Sequence, residues 1–262
     1  MAALPPLGFG TFKLHGEECT RAVENALDVG YRHVDTAQFY ENEAAVGDGL
    51  ERSDVPREEV SVATKLWHDS LDSESVHEGV RESRERLGVD TIDLVYVHWP
   101  ANTYDPEETL GALSECYDDG LLDAVGLSNF TAELVDEALD VCDAPVEAVQ
   151  LERHPLLPQT GLCAHCAGRD LDVLAYNPLM HGFALDRPEV EAVAARHDVS
   201  PARALLAWHQ AAGVTPVPKA SSPEHVRDNY ASLDLELDGA DLARIDGIEE
   251  RRRLGDPEFA PW

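Results

Sequence analysis

Lysine is almost absent from this sequence of 262 residues. Only Lys13, Lys65 and Lys219 are present, and with the arginines they give 20 basic side chains against 51 acidic ones. The net charge of −31 at pH 7 repels polyanions, which excludes nucleic acid and anionic membranes as partners. Because self-repulsion of this size destabilises a compact chain unless salt screens it, we expect a halophilic protein from a salt-loving organism.

Long apolar runs are also missing. No segment approaches the roughly 18 apolar residues of a membrane-spanning helix. The first residues, MAALPPLGFGT, lack the basic start and apolar centre of a secretory signal. We therefore expect a cytoplasmic protein that does not contact membranes.

Cysteine is sparse, and its pattern argues against a disulfide framework, since the five cysteines are odd in number and scattered. Cys163 and Cys166 have the CxxC spacing of some zinc and redox sites. The sequence offers no clear second ligand pair and no thioredoxin-like surroundings, so partly buried helix cysteines are the favoured interpretation. We predict no metal site.

The sequence does contain a regular alternation of helical and strand-like patterns. Hydrophobic residues make up 44% of the chain, which is enough for a large core. The predicted strands are Leu7–Thr11, Arg32–Asp35, Val60–Leu66, Leu94–His98, Ala124–Ser128, Ala148–Glu152, Val173–Tyr176 and Val214–Val217. The predicted helices are Glu17–Val29, Glu41–Glu51, Ser73–Leu87, Pro106–Asp119, Thr131–Cys142, Thr160–Arg169, Val190–His197, Pro201–Ala212, Pro223–Ala231 and Ala240–Arg251.

Eight strands with helices between them predict an α/β fold, the (β/α)8 TIM barrel, whose sites lie on the loops that follow the strands. A doubly wound sheet is the alternative. It usually carries a glycine-rich phosphate loop after its first strand, and Gly8-Phe-Gly10 lacks the third glycine and the following helix. Since no linker, low-complexity tract or charge block divides the chain, we expect one domain over residues 1–262.

Polar side chains stand at or just after the ends of three consecutive predicted strands. Asp35 and Tyr40 follow the second strand, Lys65 lies at the end of the third, and His98 ends the fourth. Each has an ordinary structural explanation alone, such as a turn-forming aspartate or a lysine that reaches solvent. Lys65 fits that explanation least, because a chain with three lysines retains one after an apolar run. Together the four residues indicate chemistry at the open end of the sheet.

Seven segments carry a resemblance to a known family: GYRHVDTAQFYENEAAVG, TKLW, LVYVHWP, GLSNF, VQLERHP, LAYNPL and VPKASS. In this order and spacing they closely resemble the motifs of the aldo-keto reductase superfamily. The trimmed loops and short tail are similar to the short microbial members, such as the 2,5-diketo-gluconate reductases. The resemblance implies a (β/α)8 barrel that reduces aldehydes, ketones or keto-sugars to alcohols with NAD(P)H.

The resemblance also implies a catalytic tetrad of Asp35, Tyr40, Lys65 and His98. Hydride delivery to a carbonyl carbon creates an alkoxide, which needs a proton donor and electrostatic stabilisation. A phenol, with a pKa of about 10, is a poor acid near neutrality unless its pKa is shifted, and a nearby ammonium lowers it. We therefore expect Tyr40 to donate the proton and Lys65 to lower the pKa of Tyr40. Asp35 would orient Lys65, and His98 would donate a hydrogen bond to the carbonyl.

Further residues match the family's cofactor contacts. The implied contacts are Thr11, Ser128, Asn129, Gln150, Tyr176 and Leu179 towards the nicotinamide and along the cofactor, and Lys219, Ser222, His225, Asp228 and Asn229 at the adenosine end. Tyr176 would stack on the nicotinamide ring. Ala220 replaces a serine, and His225 an arginine, of NADPH-preferring members. Because Lys219 and Ser222 remain, we expect NADP(H) to be preferred and NAD(H) to be usable.

The implied substrate pocket has an apolar wall suited to a small or aromatic carbonyl compound. Its expected residues are Phe12, Trp67 and Trp99, with Phe259 or Trp262 from the tail. We expect a monomer. Two other functions remain open: a cofactor-binding barrel that senses redox state with little turnover, and a (β/α)8 enzyme without redox chemistry. The complete tetrad argues against the first, and the second leaves the implied cofactor contacts unexplained.

Overall fold

The computed structural model describes residues 4–262. In it, eight strands form one parallel sheet, and each strand pairs with the next along the chain. The strands are β1 (Phe9–Gly10), β2 (His33–Asp35), β3 (Ser61–Leu66), β4 (Leu94–Val97), β5 (Val125–Ser128), β6 (Val146–Glu152), β7 (Asp172–Tyr176) and β8 (Val214–Val217). Gly8 N donates to Pro216 O and Gly10 N to Pro218 O, both at 3.0 Å, which joins β1 to β8. The predicted (β/α)8 barrel is confirmed.

Helices alternate with the strands as the sequence predicted. Within residues 4–262 they are α1 (Gly16–Val29), α2 (Glu43–Arg52), α3 (Ser73–Leu87), α4 (Pro106–Asp118), α5 (Ala132–Val141), α6 (Thr160–Ala167), α7 (Pro188–His197), α8 (Pro201–Ala211), α9 (Pro223–Tyr230) and α10 (Gly239–Asp246). The side chains of Asp72, Thr131 and Ser200 cap α3, α5 and α8, each accepting from the amide of the third helical residue. These caps explain why the predicted starts of α3, α5 and α8 lie within one residue of the observed ones.

The last helix ends earlier than predicted. The sequence pattern predicted a helix to Arg251, but α10 ends at Asp246 and Gly247 follows as its C-cap. Beyond it, the amide of Arg252 donates to Leu156 O at 3.0 Å, in the loop after β6. This contact with a distant loop has overridden the local helical pattern.

The interior of the barrel is packed around Tyr96, whose side chain is wholly buried. The apolar residues that surround it are Ala63, Leu94, Ala124, Ala148, Leu174 and Val217. Gly126 on β5 gives this ring its space, because a Cβ at Gly126 would lie 2.3 Å from Tyr96. A larger apolar layer packs the sheet against the helices. The two layers fix the strands, and so they fix the positions of the residues at the strand ends.

Neither a membrane span nor a metal cluster is found in the described part of the chain. No helix within residues 4–262 is both long and apolar enough to cross a bilayer. Over the same residues, no three histidine, cysteine, aspartate or glutamate side chains come together as a metal site requires. Cys163 and Cys166 are free thiols on α6, the first partly exposed and the second buried.

Candidate active site

A buried ion pair lies at the centre of the site. Lys65 on β3 has no exposed surface, and its ammonium donates to Asp35 Oδ1 at 2.5 Å and to Thr36 O at 2.7 Å. Asp35, at the end of β2, accepts through its other oxygen from Gln150 Nε2 at 2.7 Å. A charge inside a protein is tolerated only when it is paired and hydrogen-bonded. Asp35 therefore holds Lys65 inside the barrel, and Lys65 does not reach solvent.

Tyr40 lies next to this pair on the 3-10 turn Gln38–Tyr40, which follows β2. The Lys65 Nζ atom is 5.1 Å from the centroid of the Tyr40 ring. Burial raises the pKa of Tyr40 well above its usual value, and the Asp35 carboxylate raises it further. Burial and the carboxylate therefore outweigh the lowering of this pKa that was expected from Lys65. The phenol stays protonated at neutral pH, which is the form that can donate a proton.

His98 follows β4 and is 9% exposed. Burial lowers the pKa of His98 well below its usual value, and the positive charge of Lys65 lowers it further, so the imidazole is neutral at pH 7. The ring stands edge-on to Tyr40 with 6.1 Å between centroids. Its Nδ1 atom has no hydrogen-bond partner among residues 4–262. A neutral imidazole carries one N–H, which can be donated to a carbonyl oxygen beside Tyr40.

Two buried residues that sequence reasoning missed hold the neighbouring loops in place. Asn42 donates from Nδ2 to Thr11 O at 2.9 Å, which ties the loop after β2 to the loop after β1. Glu43 accepts from Thr64 Oγ1 at 2.5 Å and from Arg86 Nε at 2.7 Å, which ties the start of α2 to β3 and α3. The signal was present in the sequence, because both residues belong to the segment that contains Tyr40.

A cavity of about 560 Å³ opens at the carboxyl ends of the strands. Asp35, Tyr40 and His98 line it, and Lys65 lies behind them. Other predicted residues in its lining are Thr11, Phe12, Trp67, Trp99, Asn129, Gln150, Tyr176, Leu179 and Lys219. Predicted cofactor contacts that are not part of the lining are Ser128, Ser222, His225, Asp228 and Asn229. The structure thus brings together the four predicted catalytic residues, the predicted nicotinamide contacts except Ser128, and the predicted substrate residues Phe12, Trp67 and Trp99.

Two amide side chains and an aromatic ring share one side of this cavity. Tyr176 donates from its hydroxyl to Asn129 Oδ1 at 2.7 Å. Asn129 Nδ2 donates to His98 O at 2.9 Å and to the buried Ser128 Oγ at 3.1 Å. Gln150 also lines the cavity, with its Nε2 donating to Asp35. This combination of amide donors and acceptors beside a ring suits a planar carboxamide group.

The residues predicted for the adenosine phosphate lie near the start of α9. Lys219 is exposed at the cavity edge. Ser222 Oγ accepts from the amide of His225 at 3.2 Å and so caps α9, and the His225 side chain is exposed. Ala220 is 5% exposed and packs in the core. It therefore offers nothing to a phosphate, which leaves Lys219, Ser222 and His225.

The other two residues predicted for the adenosine end, Asp228 and Asn229, are engaged with the protein or buried. Asp228 accepts from Arg203 Nη2 at 2.7 Å and also from the hydroxyl of Ser200. Asn229 is 4% exposed. The sequence resemblance did not predict the ion pair of Asp228, because Arg203 belongs to α8 and is distant in sequence.

Aromatic side chains form the outer wall of the cavity. Phe39 stacks on Trp67 with 4.1 Å between centroids and 13° between planes. Phe12 lies 5.1 Å from the Tyr40 ring, and Trp99 packs edge-on to Phe259 at 5.5 Å. Of the apolar wall predicted from the sequence, Phe12, Trp67 and Trp99 line the cavity, and the tail residues Phe259 and Trp262 are not part of the lining. Phe39, which is 53% exposed, is a member of it that sequence reasoning missed.

Other lining residues missed by sequence reasoning are Gly10 and Lys13 at and after the end of β1; Asn177, Pro178, His181 and Gly182 after β7; Val217 and Pro218 at the end of β8; and Leu254 and Gly255 near the end of the chain. The scarcity of lysine was a signal for Lys13, since the other two lysines were already assigned to the site. Positive φ angles at Asn177, His181 and Gly182 shape the loop after β7, and hydrogen bonds from Leu254 and Gly255 to Glu152 hold the end of the chain.

Comparison with known proteins identifies relatives over almost the whole chain. A family model described as the Aldo/keto reductase family matches residues 6–250. The chain is 34% identical over 259 residues to methylglyoxal reductase DkgB of Escherichia coli O157:H7, with 98% of this chain and 97% of that relative covered. It is 35% identical over 253 residues to glyoxal reductase of Bacillus subtilis strain 168, and the match covers 96% of this chain and 91% of that relative.

Solved structures agree with the same assignment. MGS-M4, an aldo-keto reductase enzyme from a Medee basin deep-sea metagenome library, superposes with a TM-score of 0.92 at 30% identity, covering 98% of this chain and 95% of that one. The aldose reductase from Schistosoma japonicum gives a TM-score of 0.91 at 28% identity, covering 96% and 90%.

Proposed function

This chain belongs to the aldo/keto reductase family, and we propose that it reduces small aldehydes and ketones with NADPH, with Tyr40 as the proton donor. Carbonyl reduction with a nicotinamide cofactor is the chemistry of the family. The observation that carries the residue assignment is the wholly buried pair of Lys65 and Asp35 beside Tyr40, at a cavity that His98 also lines.

The side chains of the cavity fit a nicotinamide cofactor. Gln150 offers its second amide N–H and Asn129 offers its side-chain oxygen to a carboxamide, with Ser128 behind them, and the ring of Tyr176 offers a stacking surface. Lys219 adds a positive charge for a phosphate at the edge. When bound there, the cofactor supplies a hydride to the carbonyl carbon.

Tyr40 is the group that protonates the alkoxide oxygen. Its raised pKa keeps the proton on the phenol at neutral pH until a stronger base, the developing alkoxide, is placed beside it. The nearby Lys65 ammonium then stabilises the phenolate that remains. Asp35 keeps Lys65 in position, because the ammonium would otherwise lose its charged partner inside the barrel.

His98 orients the substrate. Because its imidazole is neutral, it presents one N–H to the carbonyl oxygen and does not compete with Tyr40 as a strong acid. Trp67 and Trp99 flank it and exclude water from the carbonyl. Exclusion of water strengthens the electrostatic contribution of Lys65.

The preference for NADPH rests on the positive or polar groups near α9. Lys219, the hydroxyl of Ser222 and the exposed His225 are available for a 2′-phosphate, and the N-terminus of a helix favours an anion. Ala220 replaces a serine of NADPH-preferring members, which weakens the preference for NADPH over NADH, so NADH remains a usable cofactor. The ratio of kcat/KM for the two cofactors tests this; an equal or higher value with NADH would overturn the preference.

We further propose 2-oxoaldehydes and keto-sugars as the substrate class. The relatives are named as reductases of methylglyoxal and glyoxal, and the aromatic wall leaves one polar corner for a carbonyl at Tyr40 and His98. The test is the loss of NADPH absorbance in molar KCl with glyoxal, methylglyoxal, keto-sugars and aromatic aldehydes. Turnover of aromatic aldehydes alone would contradict this class, and absence of turnover with all of them would contradict the reductase function.

We also infer a cytoplasmic monomer of one domain. A net charge of −31 gives two copies no electrostatic reason to associate. Light scattering in molar KCl should give the mass of one chain, and twice that mass would contradict a monomer.

A further inference from the structure

Glu152 is a buried acid that the proposed mechanism does not use. It is the last residue of β6 and has no exposed surface. Its Oε1 atom accepts from His154 Nε2 and from the amide of Leu254, both at 2.8 Å, and its Oε2 atom accepts from the amide of Gly255 at 2.6 Å. One carboxylate therefore joins the end of β6 to a segment about a hundred residues away in sequence.

The segment that it holds is the C-terminal tail, Arg251–Trp262, which contains no helix or strand. Leu254 and Gly255 line the cavity directly. Farther on, Phe259 packs against His68 at 4.1 Å and Trp99 at 5.5 Å between centroids. The tail thus lines the cavity through Leu254 and Gly255 and supports Trp99 from behind through Phe259, although it has no regular structure of its own to keep it there.

The tail approaches the site closely at Gly255. A Cβ at Gly255 would lie 2.8 Å from the Tyr176 hydroxyl and 3.0 Å from Glu152 Oε2, so a side chain has no space there. Glu152 and Tyr176 are also direct partners across β6 and β7. The backbone of the tail is therefore pressed between the carboxylate that holds it and the ring proposed to stack on the cofactor.

The negative charge of Glu152 suits this role. Burial raises the pKa of Glu152, but the hydrogen bonds from His154 and from the Gly255 and Leu254 amides outweigh burial and leave the pKa below its usual value. The three groups that bind the carboxylate are all N–H donors. Two of them are backbone amides, so a substitution in the tail changes only side chains and leaves these donors in place. A neutral amide in place of the carboxylate would offer one acceptor oxygen and would turn an NH2 group towards a donor.

We propose that Glu152 is a positioning residue that fastens the C-terminal tail against the cavity and thereby sets the affinity for the carbonyl substrate. Apart from Tyr176, the predicted cofactor contacts do not touch the tail, so the fastening should affect the KM for the carbonyl substrate more than the Kd for the cofactor. The inference rests on the proposed reductase function, because it assigns Glu152 to the substrate side of that site.

The first test is Glu152→Gln, with Glu250→Gln as the matched control. Glu250 lies beside the tail in an exposed pair with Arg187. Loss of charged hydrogen bonds to the tail should raise the KM of Glu152→Gln for methylglyoxal about tenfold, with kcat and the Kd for NADPH changed about threefold or less. The control should keep the wild-type KM. An unchanged KM in Glu152→Gln, or an equal loss in KM, kcat and Kd, would overturn the proposal.

Gly255→Ala tests the same contact from the side of the tail. Glu152 is retained, but the new Cβ pushes the backbone away from it and from Tyr176, so the KM for methylglyoxal should rise by a larger factor than the Kd for NADPH. A wild-type KM in this variant would show that the position of the tail does not set substrate affinity, and it would overturn the proposal.

Amide hydrogen exchange in the wild-type protein decides the matter if either variant fails to fold. The amides of Leu254 and Gly255 should exchange at least about tenfold more slowly than those of Asp256 and Glu258, whose side chains are more exposed to solvent. Equal rates would overturn the proposal. This measurement needs no turnover, so it separates the two claims. Slow exchange at Leu254 and Gly255 in a protein that reduces no carbonyl compound would contradict the reductase function but would still support the fastening of the tail.

Discussion

The three lysines of this chain meet at one cavity. Lys13 and Lys219 line its rim, and Lys65 lies behind it with no exposed surface. A chain with a net charge of −31 has little other use for ammonium groups. An anionic cofactor and a developing alkoxide both require positive charge, and this explains why lysine is kept at this place.

The pair of Lys65 and Asp35 can be tested by its effect on stability. Lys65→Met should lower the free energy of unfolding by about 3–5 kcal/mol, because Asp35 is then buried without its cation. The double variant Lys65→Met/Asp35→Asn should recover part of that loss, since no unpaired charge remains. Urea titration in molar KCl measures both. If the single variant is as stable as the wild type, the two groups are not coupled in this way.

Buried histidines predict a pH dependence of stability. Burial lowers the pKa of His33, His98 and His209 in the folded protein. As the pH falls below about 6.5, unfolded histidine takes up a proton that the folded site refuses. The free energy of unfolding should therefore fall with decreasing pH, by up to about 1.4 kcal/mol per pH unit for each histidine, until the lowered folded pKa is reached.

Urea titrations between pH 7.5 and 5 in molar KCl check this slope. His33→Gln should reduce it, and His15→Gln should leave it unchanged, because His15 is exposed. A flat stability between pH 7 and 5.5 would contradict the assignment of neutral buried histidines.

At the scale of elements, most of the barrel could be predicted from the sequence. The strands were found because buried parallel strands are short apolar runs, and α5 and α8 were found because Thr131 and Ser200 are visible N-caps. The end of α10 and the course of the tail could not be predicted, because Leu156 and Glu152 hold them from distant parts of the chain.

In the candidate active site, too, some features could be predicted from the sequence and others could not. The identities and spacing of Asp35, Lys65 and His98 were enough to predict that these residues lie together. The net direction of the Tyr40 pKa could not be predicted, because it depends on how deeply the phenol is buried, and spacing does not reveal burial. Gly255 was missed since nothing in the sequence shows what a backbone will touch.

The packing between β4 and β5 gives a prediction at this scale. Gly126→Ala should destabilise the barrel by about 1–3 kcal/mol, because its Cβ would lie 2.3 Å from the wholly buried Tyr96 ring. Gly111→Ala on α4 is the matched control, since a Cβ there meets nothing within 4 Å. That change should stabilise the helix by about 0.5–1 kcal/mol. Thermal or urea unfolding compares the two, and an equally mild effect at Gly126 would contradict the packing.

At the scale of the whole molecule, the net charge of −31 sets how stability depends on salt. Repulsion among 51 acidic side chains opposes folding in dilute buffer. The Debye length falls from about 10 Å at 0.1 M salt to about 3 Å at 1 M, which screens that repulsion. We expect unfolding to occur in one transition, with a midpoint temperature that rises steadily from dilute buffer to molar KCl. Equal stability in the two conditions would contradict a salt-adapted protein.

The central claim is that Tyr40 donates the proton in a carbonyl reduction for which Lys65, Asp35 and His98 prepare the site. Its most direct test is the steady-state reduction of methylglyoxal by NADPH in molar KCl, with wild type and Tyr40→Phe compared and the Kd for NADPH measured for both. The account predicts turnover by the wild type and a loss of kcat of at least about 100-fold in the variant, with a Kd within about twofold. Full turnover by Tyr40→Phe would contradict it.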